Sequence, residues 1–451
     1  MKDLLSRAGR LVLISCISCA AVSAQEPLTL KDAIQIALKQ SSDVEAARAD
    51  LAGARADLAL ARTQYLPQVN FIEDMSRGND PVYVFGTLLR QQQFTQADFA
   101  LDSLNKPEPL GNFSTRVSGN WLLFDSLHTQ KLVHGADLMK KSATSSAQAV
   151  DQKVVFDIVR AYQGVLYAER QVDIAKHEYE TSESLLSSVD DHVKAGLAVE
   201  SDRMSAQVSV ATRKQGLIEA QGELDLAWAQ LRLAMGKPEL KSSPLRPINQ
   251  KDFPRGDLQQ EFQTAISNRH DLAAIASIQA AQAASESAAR LSFGPRVSTY
   301  GNWEDDRPTL SGNGGNSWVA GVQISVDILP FSKRAQLAKE KASKARVDAQ
   351  LTAYQQQIRL QVNQAHIQHQ TAALSLETAR SAIDQATESL RILKNRYDAG
   401  LATITDLLRA GDAEREAQMS YWHAVYGNAV AHAQLLFATG TLTPEAAEDL
   451  Q

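Results

Sequence analysis

Two closely spaced histidines are the first residues to consider for chemistry. His366 and His369 stand three residues apart, so a helix would place both imidazoles on one side, where they could bind a metal ion. No third ligand lies nearby in sequence, so a hydrated helix face is the favoured interpretation, and we predict no metal site. The sequence also lacks a nucleophile elbow, a P-loop and a dinucleotide fingerprint. We therefore predict no catalytic residues and no cofactor, and expect that the protein is not an enzyme.

The N-terminal residues predict export. A basic start (Lys2, Arg7, Arg10), an apolar run over 11–21 and the small residues before Gln25 form a signal peptide over residues 1–24. Cys16 and Cys19 are the only cysteines and lie inside it, so the mature chain would have none. The alternative is a lipobox ending at Cys16, which would then carry lipid. No later apolar stretch is long enough for a transmembrane helix, so the mature chain is soluble or enters a membrane as strands.

Composition narrows the class further. The 451 residues are 44% hydrophobic and only 6% aromatic, which excludes a disordered chain and a membrane protein built of apolar helices. A net charge of −6 argues against a nucleic-acid binder on electrostatic grounds. The sequence fits a helical protein whose interfaces contain small residues.

The chain contains an internal repeat. Residues 161–236 match residues 365–440 at an offset of 204, so that Gly196 aligns with Gly400 and Gly236 with Gly440. Residues 65–67 match 293–295 at an offset of 228. We predict a first repeat over 25–236, a proline-rich linker over 237–257, a second repeat over 258–440 and a tail over 441–451.

Each repeat reads as a helix, two strands and a helical hairpin. The opening helices start at Thr29 and Asp257 and end before Pro67 and Pro295. Alternating residues predict strands, in this order along the chain: 68–76, 112–124, 296–303 and 317–327. The first strand pair encloses a loop-like segment, 77–111, which is apolar for a surface loop.

The strands leave two interpretations open. Three of the five tryptophans, Trp121, Trp303 and Trp318, lie in strand candidates. Aromatic residues line the interfaces of membrane β-barrels, but a small soluble sheet with tryptophans in its core shows the same periodicity. The sequence pattern does not separate the two.

Long helices are the strongest local feature. The segment from Leu127 to Val193 contains 67 residues without proline, which as one helix would span about 100 Å. Apolar and small residues follow 3,4 spacing from Leu376 to Tyr397, and aligned positions of the first half share it, which predicts coiled-coil packing. Each helix then reaches Ala-Gly-Leu and turns back.

Counting strands suggests an assembly. Four strands cannot close a membrane barrel, since the smallest have eight. Three chains would together supply twelve strands. Each chain would also supply two long hairpins, and a closed ring of these hairpins would form a tube. The membrane interpretation therefore predicts a passage across the periplasm.

The sequence resembles the TolC-like outer-membrane efflux proteins over the whole mature chain. The resemblance rests on the opening helix Leu28–Leu38, on Trp121–Asp125 at the end of the second strand and on Tyr397–Leu408 at the second hairpin tip. Each motif is weak alone, whereas their duplicated order is specific.

The resemblance implies a mainly α fold with a small β part, in which a homotrimer forms a periplasmic α-barrel and a twelve-stranded outer-membrane β-barrel. The implied partners are outer-membrane lipid, a periplasmic adaptor (membrane fusion protein) and an inner-membrane pump of RND or ABC type, without nucleic acid. By motif position the adaptor-docking tips are Ala195, Gly196 and Leu197, and Ala399, Gly400 and Leu401. The gate residues are Asp202, Tyr397 and Asp406, and the interface aromatics are the three strand tryptophans.

The sequence departs from the family at the gate. Ala402 stands where a gate arginine is expected, and Arg409 stands where an aspartate is expected. We hypothesise that Arg409 pairs with Asp406 or Asp202 and holds the tip closed; a solvated surface pair worth under ~1 kcal/mol is the alternative.

The predicted function is the outer-membrane channel of a tripartite efflux or type I secretion system, which conducts substrates passively. The alternative is a periplasmic adaptor or a structural coiled-coil protein. Such an adaptor usually has one hairpin flanked by soluble β-domains, whereas this chain has two hairpins and two strand pairs.

Overall fold

The computed structural model describes residues 27–246, 253 and 256–448. The predicted signal peptide, with Cys16 and Cys19, lies outside the described residues, as do most of 247–255 and the last residues of the tail.

The described chain contains twice the order of two helices, two strands and two long helices, with extra short helices between the first two strands and at the end of the second half. The first half comprises α1 (Leu30–Gln40), α2 (Ser42–Thr63), β1 (Gln68–Gly78), α3 (Pro81–Arg90), α4 (Leu101–Asn105), β2 (Leu110–Phe124), α5 (His128–Lys194) and α6 (Glu200–Ala234). The second half comprises α7 (Leu258–Asn268), α8 (His270–Leu291), β3 (Arg296–Arg307), β4 (Gly315–Ser325), α9 (Phe331–Asp398), α10 (Ile404–Ala438) and the short α11 (Pro444–Glu448). The predicted fold class, mainly α with four strands and two long hairpins, is confirmed.

The opening helices differ from the prediction because each is broken once. Ser41 separates α1 from α2 with a ψ of 131°, and Arg269 separates α7 from α8 with a ψ of 116°. Gly236 and Gly440, which follow α6 and α10 in the left-handed region, lie against these breaks: an added Cβ would stand 2.5 Å from the Gln40 carbonyl oxygen and 2.9 Å from the Arg269 nitrogen, respectively. The two halves therefore also repeat the same packing contact: the end of each hairpin packs against the break in the opening helix of its own half.

The segment predicted as a loop is partly helical. Residues 77–111 contain α3, a 3₁₀ turn over Gln96–Phe99 and α4. Asp80 caps α3 by accepting a hydrogen bond from the Tyr83 backbone nitrogen, with Pro81 in the first turn. The loop-like composition reflects these caps and turns rather than the absence of helix.

The four strands form one antiparallel sheet in the order β1-β2-β3-β4. In its register Val117 pairs with Phe71 and with Trp303, and Trp303 pairs with Trp318. Directly opposed residues point to the same side, so these four residues share one face of the sheet.

Far from the sheet, the long helices form a layer in the order α6-α5-α10-α9. Close to the sheet, the neighbouring helices are α2, α5, α8 and α9, in that order. The main core lies between these levels and includes Leu30, Ile34, Tyr162 and Leu231, all fully buried or nearly so. The Tyr162 hydroxyl lies 2.8 Å from the Leu28 carbonyl oxygen and 3.0 Å from that of Arg246, which ties the start of the first half to the linker. In the described part of the chain, no helix is both long and apolar enough to cross a membrane.

Candidate gate and docking tips

Both hairpin tips are built in the same way. Gly196 and Gly400 adopt φ values of +74° and +72°, and the following leucine nitrogens donate hydrogen bonds to the carbonyl oxygens of His192 and Arg396. This is the Schellman arrangement, in which a left-handed glycine ends a helix. It leaves Leu197 and Leu401 77% and 69% exposed, so each tip presents an uncovered apolar side chain.

The two tips are held together by a small core. Val189 of α5, Ala206 of α6 and Ile404 of α10 are buried against one another. Tyr397 packs on this cluster, and its ring centroid lies 6.1 Å from that of His192. Burial, and secondly the charge of Asp202, raise the pKa of Tyr397. The structure thus brings the predicted gate residues Tyr397 and Asp202 into one neighbourhood.

The two predicted gate aspartates also cap helices. A carboxylate oxygen of Asp406 accepts hydrogen bonds from the Thr403 hydroxyl at 2.7 Å and the Thr403 nitrogen at 3.1 Å. These bonds, together with nearby arginine charges, lower the pKa of Asp406. Asp202 makes the equivalent contact with the Val199 nitrogen at 3.5 Å. Both carboxylates therefore stabilise the first turn of the returning helix.

Arg409 does not pair with these carboxylates inside one chain. No ion pair within 4.0 Å joins Arg409 to any carboxylate among the residues that the structure describes, and its side chain is exposed. The hypothesised Asp406–Arg409 pair is therefore not formed in the single chain, where Thr403 binds one oxygen of the Asp406 carboxylate.

An ionic joint above the tips was missed by the sequence reasoning. Arg213 of α6 lies 3.5 Å from a Glu178 oxygen of α5 and forms an ion pair with Asp412 of α10. Arg213 and Glu178 are 14% and 13% exposed. Burial raises the pKa of Glu178, an effect that the Arg213 charge opposes and the Glu414 charge adds to.

A comparison of the two sequence repeats could have indicated this ionic contact between the hairpins. At the offset of 204, Glu178 aligns with Ala382, Arg213 with Ala417 and Asp412 with Val208. Each charged residue thus replaces a small or apolar residue of the other half. Such paired departures from a repeat could have indicated a contact between the hairpins.

The strand tryptophans are not core residues. Trp121, Trp303 and Trp318 are 44%, 42% and 78% exposed, and they share one face with exposed Val69, Phe71, Met75 and Val322. The interpretation as a soluble sheet with buried tryptophans is therefore wrong. The opposite face carries polar residues, among them Asn112, Ser114, Arg116, Glu304 and Asp306.

The two histidines make separate contacts, and the expected hydrated helix face is wrong, because His369 is 1% exposed. His366 Nδ1 lies 2.9 Å from a Glu261 oxygen, whereas His369 is buried with its ring 5.1 Å from that of His432. Within the described ranges, no three His, Cys, Asp or Glu residues are grouped to hold a metal ion.

The described architecture has known counterparts, and a family model matches the chain over residues 33–237 and 262–441. This model is that of the outer membrane efflux protein. The chain belongs to the outer membrane efflux protein family. The protein is therefore the channel component of an efflux system, located in the outer membrane with a periplasmic extension. Both the family and the fold are those of channel proteins.

Individual relatives agree over nearly the full length. The outer membrane efflux protein BepC of Brucella suis is 22% identical over 433 residues, covering 92% of this chain and 86% of BepC. The solved structure of the CmeC outer membrane channel of Campylobacter jejuni aligns with a TM-score of 0.79 at 17% identity, covering 91% of this chain and 85% of CmeC. A membrane protein from Pseudomonas aeruginosa aligns with a TM-score of 0.78 at 20% identity, covering 91% and 93%.

Proposed function

We propose that three copies of this chain assemble side by side into one tube, closed at its periplasmic tips until partner proteins open it. The observation that carries this proposal is a pair of uncovered apolar stripes on the two edge helices, α6 and α9. Cargo would pass through the tube without chemical change, so no catalytic role is assigned to the chain.

The stripe on α6 faces away from its own chain. Its members are Met204, Val208, Ile218, Leu226 and Leu233, which are 50–79% exposed. Each stands two positions from a buried residue that contacts α5 or its neighbourhood, such as Ala206, Ala220 or Leu231. Two positions correspond to about 200° around a helix, so the stripe lies opposite the intramolecular seam.

The stripe on α9 is also exposed, and two of its members, Ile367 and Leu374, border an open cleft that α9 forms with α10 and with Tyr167 of α5. Leu360, Ile367 and Leu374 repeat every seven residues and are 51–55% exposed. Ala365 and His369, two positions on either side of Ile367, are buried. An apolar stripe with seven-residue spacing packs against another helix, and the α6 stripe of a neighbouring copy fits that need.

The sheet supports the same arrangement. β1 and β4 are its edges, and no further strand pairs with them in the described part of the chain. Unpaired edges associate readily with other strands, so β4 of one copy would pair with β1 of the next. Three four-stranded sheets would close a twelve-stranded barrel, with the exposed apolar face towards lipid and the three tryptophans at its interfaces.

The tips supply the docking surface and gate of the proposal. Ala195, Gly196, Leu197 and their counterparts Ala399, Gly400 and Leu401 form the ends that a periplasmic adaptor would contact, and the adaptor would join the channel to an inner-membrane pump of RND or ABC type. Arg409, exposed beside Asp406 and without a carboxylate within 4.0 Å in the described part of the chain, would reach a carboxylate of an adjacent copy.

Substitution of the α9 stripe tests the assembly. Ile367→Asp would place a charge in the proposed interface and should convert trimers to monomers in detergent, as measured by native mass spectrometry. Gln368→Asp is the matched control, because Gln368 is exposed and lies about 100° around the same helix. Monomers in the unsubstituted protein, or intact trimers with Ile367→Asp, would contradict the proposal.

A further inference from the structure

The apolar face of the sheet carries a polar network close to the strand ends that lie away from the long helices. Glu73, Thr115 and Asp305 stand side by side in the register of β1, β2 and β3. Arg307 lies 3.3 Å from a Glu73 oxygen and 3.2 Å from an Asp305 oxygen, and it donates a hydrogen bond of 2.5 Å to the Thr115 hydroxyl. Thr115 lies two residues from Val117, so these groups share the face of the tryptophans. We call Glu73, Thr115, Asp305 and Arg307 the Arg307 network.

The Arg307 network limits how far lipid can extend along this face. A charged side chain on the lipid side of a barrel costs about 2–4 kcal/mol at the bilayer centre and about 0–1 kcal/mol near its edges. Trp303 and Trp318 pair with each other two residues closer to the long helices, where the aromatic girdle of a membrane barrel would lie. If this face meets lipid, the hydrocarbon layer therefore ends at the level of the Arg307 network.

The sheet between the network and the long helices is shorter than the hydrocarbon layer. Eight residues separate Asp305 from Val297, which belongs to the last row of the same face, opposite Phe124 and Ile324. At about 3.4 Å per residue and a tilt of about 40°, they span about 20 Å across a membrane. The apolar band of a membrane barrel is about 25 Å tall. About 5 Å must therefore come from residues beyond the sheet, on the side of the long helices.

The end of β2 supplies apolar residues at this level. The pairing of β2 with β3 shifts by one residue between Leu122 and Phe124, so that Leu123 is an extra residue in a bulge. Phe124 stands opposite Val297 on the apolar face. Leu123, Phe124 and, after the strand, Leu127 are 50%, 47% and 52% exposed. We call Leu123, Phe124 and Leu127 the β2 exit; the three residues from Phe124 to Leu127 can add up to about 10 Å.

The backbone at the β2 exit is strained. Leu127 has a φ of +70°, and Ser126 before it has a φ of +60°. A left-handed leucine costs about 1–2 kcal/mol that a glycine would avoid. Because the chain leaves half of the Leu127 side chain uncovered, contacts within the chain offset little of this cost. The strained leucine therefore indicates a contact with apolar surroundings outside the chain.

The polar groups of the turn between β2 and α5 are paired inside the chain. Asp125, 8% exposed, accepts hydrogen bonds from the Thr129 nitrogen at 2.8 Å and the Thr129 hydroxyl at 2.6 Å. The Ser126 hydroxyl donates to the Pro295 carbonyl oxygen at 2.8 Å, and the His128 nitrogen donates to the Asp125 carbonyl oxygen at 3.1 Å. Irregular backbone is tolerated at membrane depth only where such groups are satisfied by protein. The turn meets this condition.

A neighbouring copy does not account for the exposure of the β2 exit. β2 lies between β1 and β3, whereas copies in the proposed assembly join at β1 and β4. The next exposed residues along α5, Gln130 and His134, are polar. The apolar surface thus continues from the sheet for about one helical turn and then stops, as at the boundary between acyl chains and headgroups.

We propose that the acyl chains of the outer membrane reach past the end of the sheet and surround the β2 exit, so that the hydrocarbon layer extends from the Arg307 network to Leu127. The partner of the β2 exit is lipid of the periplasmic leaflet. The turn between strand and helix then lies within the membrane rather than beneath it. This inference rests on the lipid-facing sheet of the proposed function.

Fluorescence quenching tests the contact, because the mature chain is predicted to contain no cysteine and accepts single labels. Leu127→Cys carries an environment-sensitive fluorophore in phosphatidylethanolamine and phosphatidylglycerol vesicles, with doxyl-labelled lipid or aqueous iodide as quencher. Its fluorescence should fall with doxyl lipid and persist with iodide, and Leu123→Cys should behave alike. Met139→Cys is the matched control: Met139 is 47% exposed on the same helix, about 18 Å further along, and should respond to iodide alone.

Two labels on the sheet separate the possible failures. Val322→Cys on the apolar face should respond to doxyl lipid, and Asn316→Cys, level with Asp305, should respond to iodide. If Val322→Cys responds to lipid but Leu127→Cys responds to iodide alone, or to neither quencher, the inference is overturned while the lipid-facing sheet stands. Iodide quenching of Val322→Cys overturns the lipid-facing sheet itself. Doxyl quenching of Asn316→Cys contradicts the boundary at the Arg307 network.

Discussion

At the scale of single residues, the interior of the helical layer holds charges and imidazoles whose partners lie on other helices. Arg213 joins α6 to α5 and α10 through Glu178 and Asp412, and His432 lies between Phe253 and His369. Each case places a titratable group where water is scarce. Removing the Arg213 side chain or protonating His432 should therefore change the free energy of unfolding of the whole protein.

Arg213→Ala should lower the free energy of unfolding by about 2–4 kcal/mol, because it leaves the poorly exposed Glu178 carboxylate without its cation. Arg203→Ala is the matched control: Arg203 pairs with Glu200 across an exposed helix turn, so its loss should cost less than ~1 kcal/mol. Urea unfolding followed by circular dichroism measures both. Equal costs would show that the joint between the hairpins contributes no more than a surface pair.

His432 should make the protein sensitive to acid. Burial, and secondly the nearby His369, lower the pKa of His432 from 6.5 to about 4. The folded state then binds fewer protons than the unfolded state between these values, so stability is fully present above pH 6.5 and declines as the pH falls towards 4. At pH 5 the loss should be about 1 kcal/mol, which is less than the full linkage value because His432 is only partly shielded from solvent.

His432→Phe should remove this part of the pH dependence, measured as the difference in unfolding midpoint between pH 7 and pH 5. Phenylalanine keeps the aromatic contact with Phe253, whose ring lies 4.0 Å away. The exposed His177→Gln serves as the control. If His432→Phe loses as much stability in acid as the parent protein, another group is responsible.

At the scale of elements, four left-handed glycines end the four long helices, but they serve two different purposes. Gly196 and Gly400 turn the chain at the open tips, while Gly236 and Gly440 press against the breaks between the opening helices. Their backbone angles are nearly equal. Any difference between their substitutions therefore reports packing rather than conformation.

Gly440→Ala should destabilise the protein by about 2–4 kcal/mol, the sum of left-handed strain and the clash of its Cβ with the backbone near Arg269. Gly400→Ala has the same strain but no atom within 4 Å, so its cost should be about 1 kcal/mol. Thermal unfolding of the two variants measures the difference. A larger loss at Gly400 would contradict this division of roles.

At the scale of the whole molecule, the sheet separates two environments. Successive side chains along each strand point alternately to the exposed apolar face and to the polar face. Substitutions at two neighbouring residues therefore probe the two opposite environments. Val322 and Gln323 are both exposed and lie side by side in β4, one on each face.

Val322→Arg should reduce the amount of protein inserted in the outer membrane, because an arginine on the lipid side costs about 2–4 kcal/mol near the bilayer centre. Gln323→Arg, which adds the same charge to the polar face, should insert normally. Fractionation with a heat-modifiability gel measures insertion. Normal insertion of Val322→Arg would show that this face does not meet lipid.

Much of the fold could be predicted from the sequence. Periodicity of two and of 3.6 is local, so the strands, the 67 residues of α5 and both hairpin tips lie where expected. The breaks at Ser41 and Arg269 were not predicted, because each packs against a glycine about 170–200 residues away in the sequence. The helix within 77–111 was also missed, because its hydrogen-bond partners lie on β1 and β2 of the folded sheet.

The sequence by itself determined the duplicated plan, the long helices and the alternation of the strands, since these follow from local spacing. Only the tertiary structure decided which apolar residues remain uncovered: the tryptophans of the sheet, the stripes of α6 and α9, and Val82 and Leu89 on one side of α3. The physical reason is that burial is a property of the neighbours that the chain brings together. An apolar residue inside the core and one awaiting another copy look alike until those neighbours are in place.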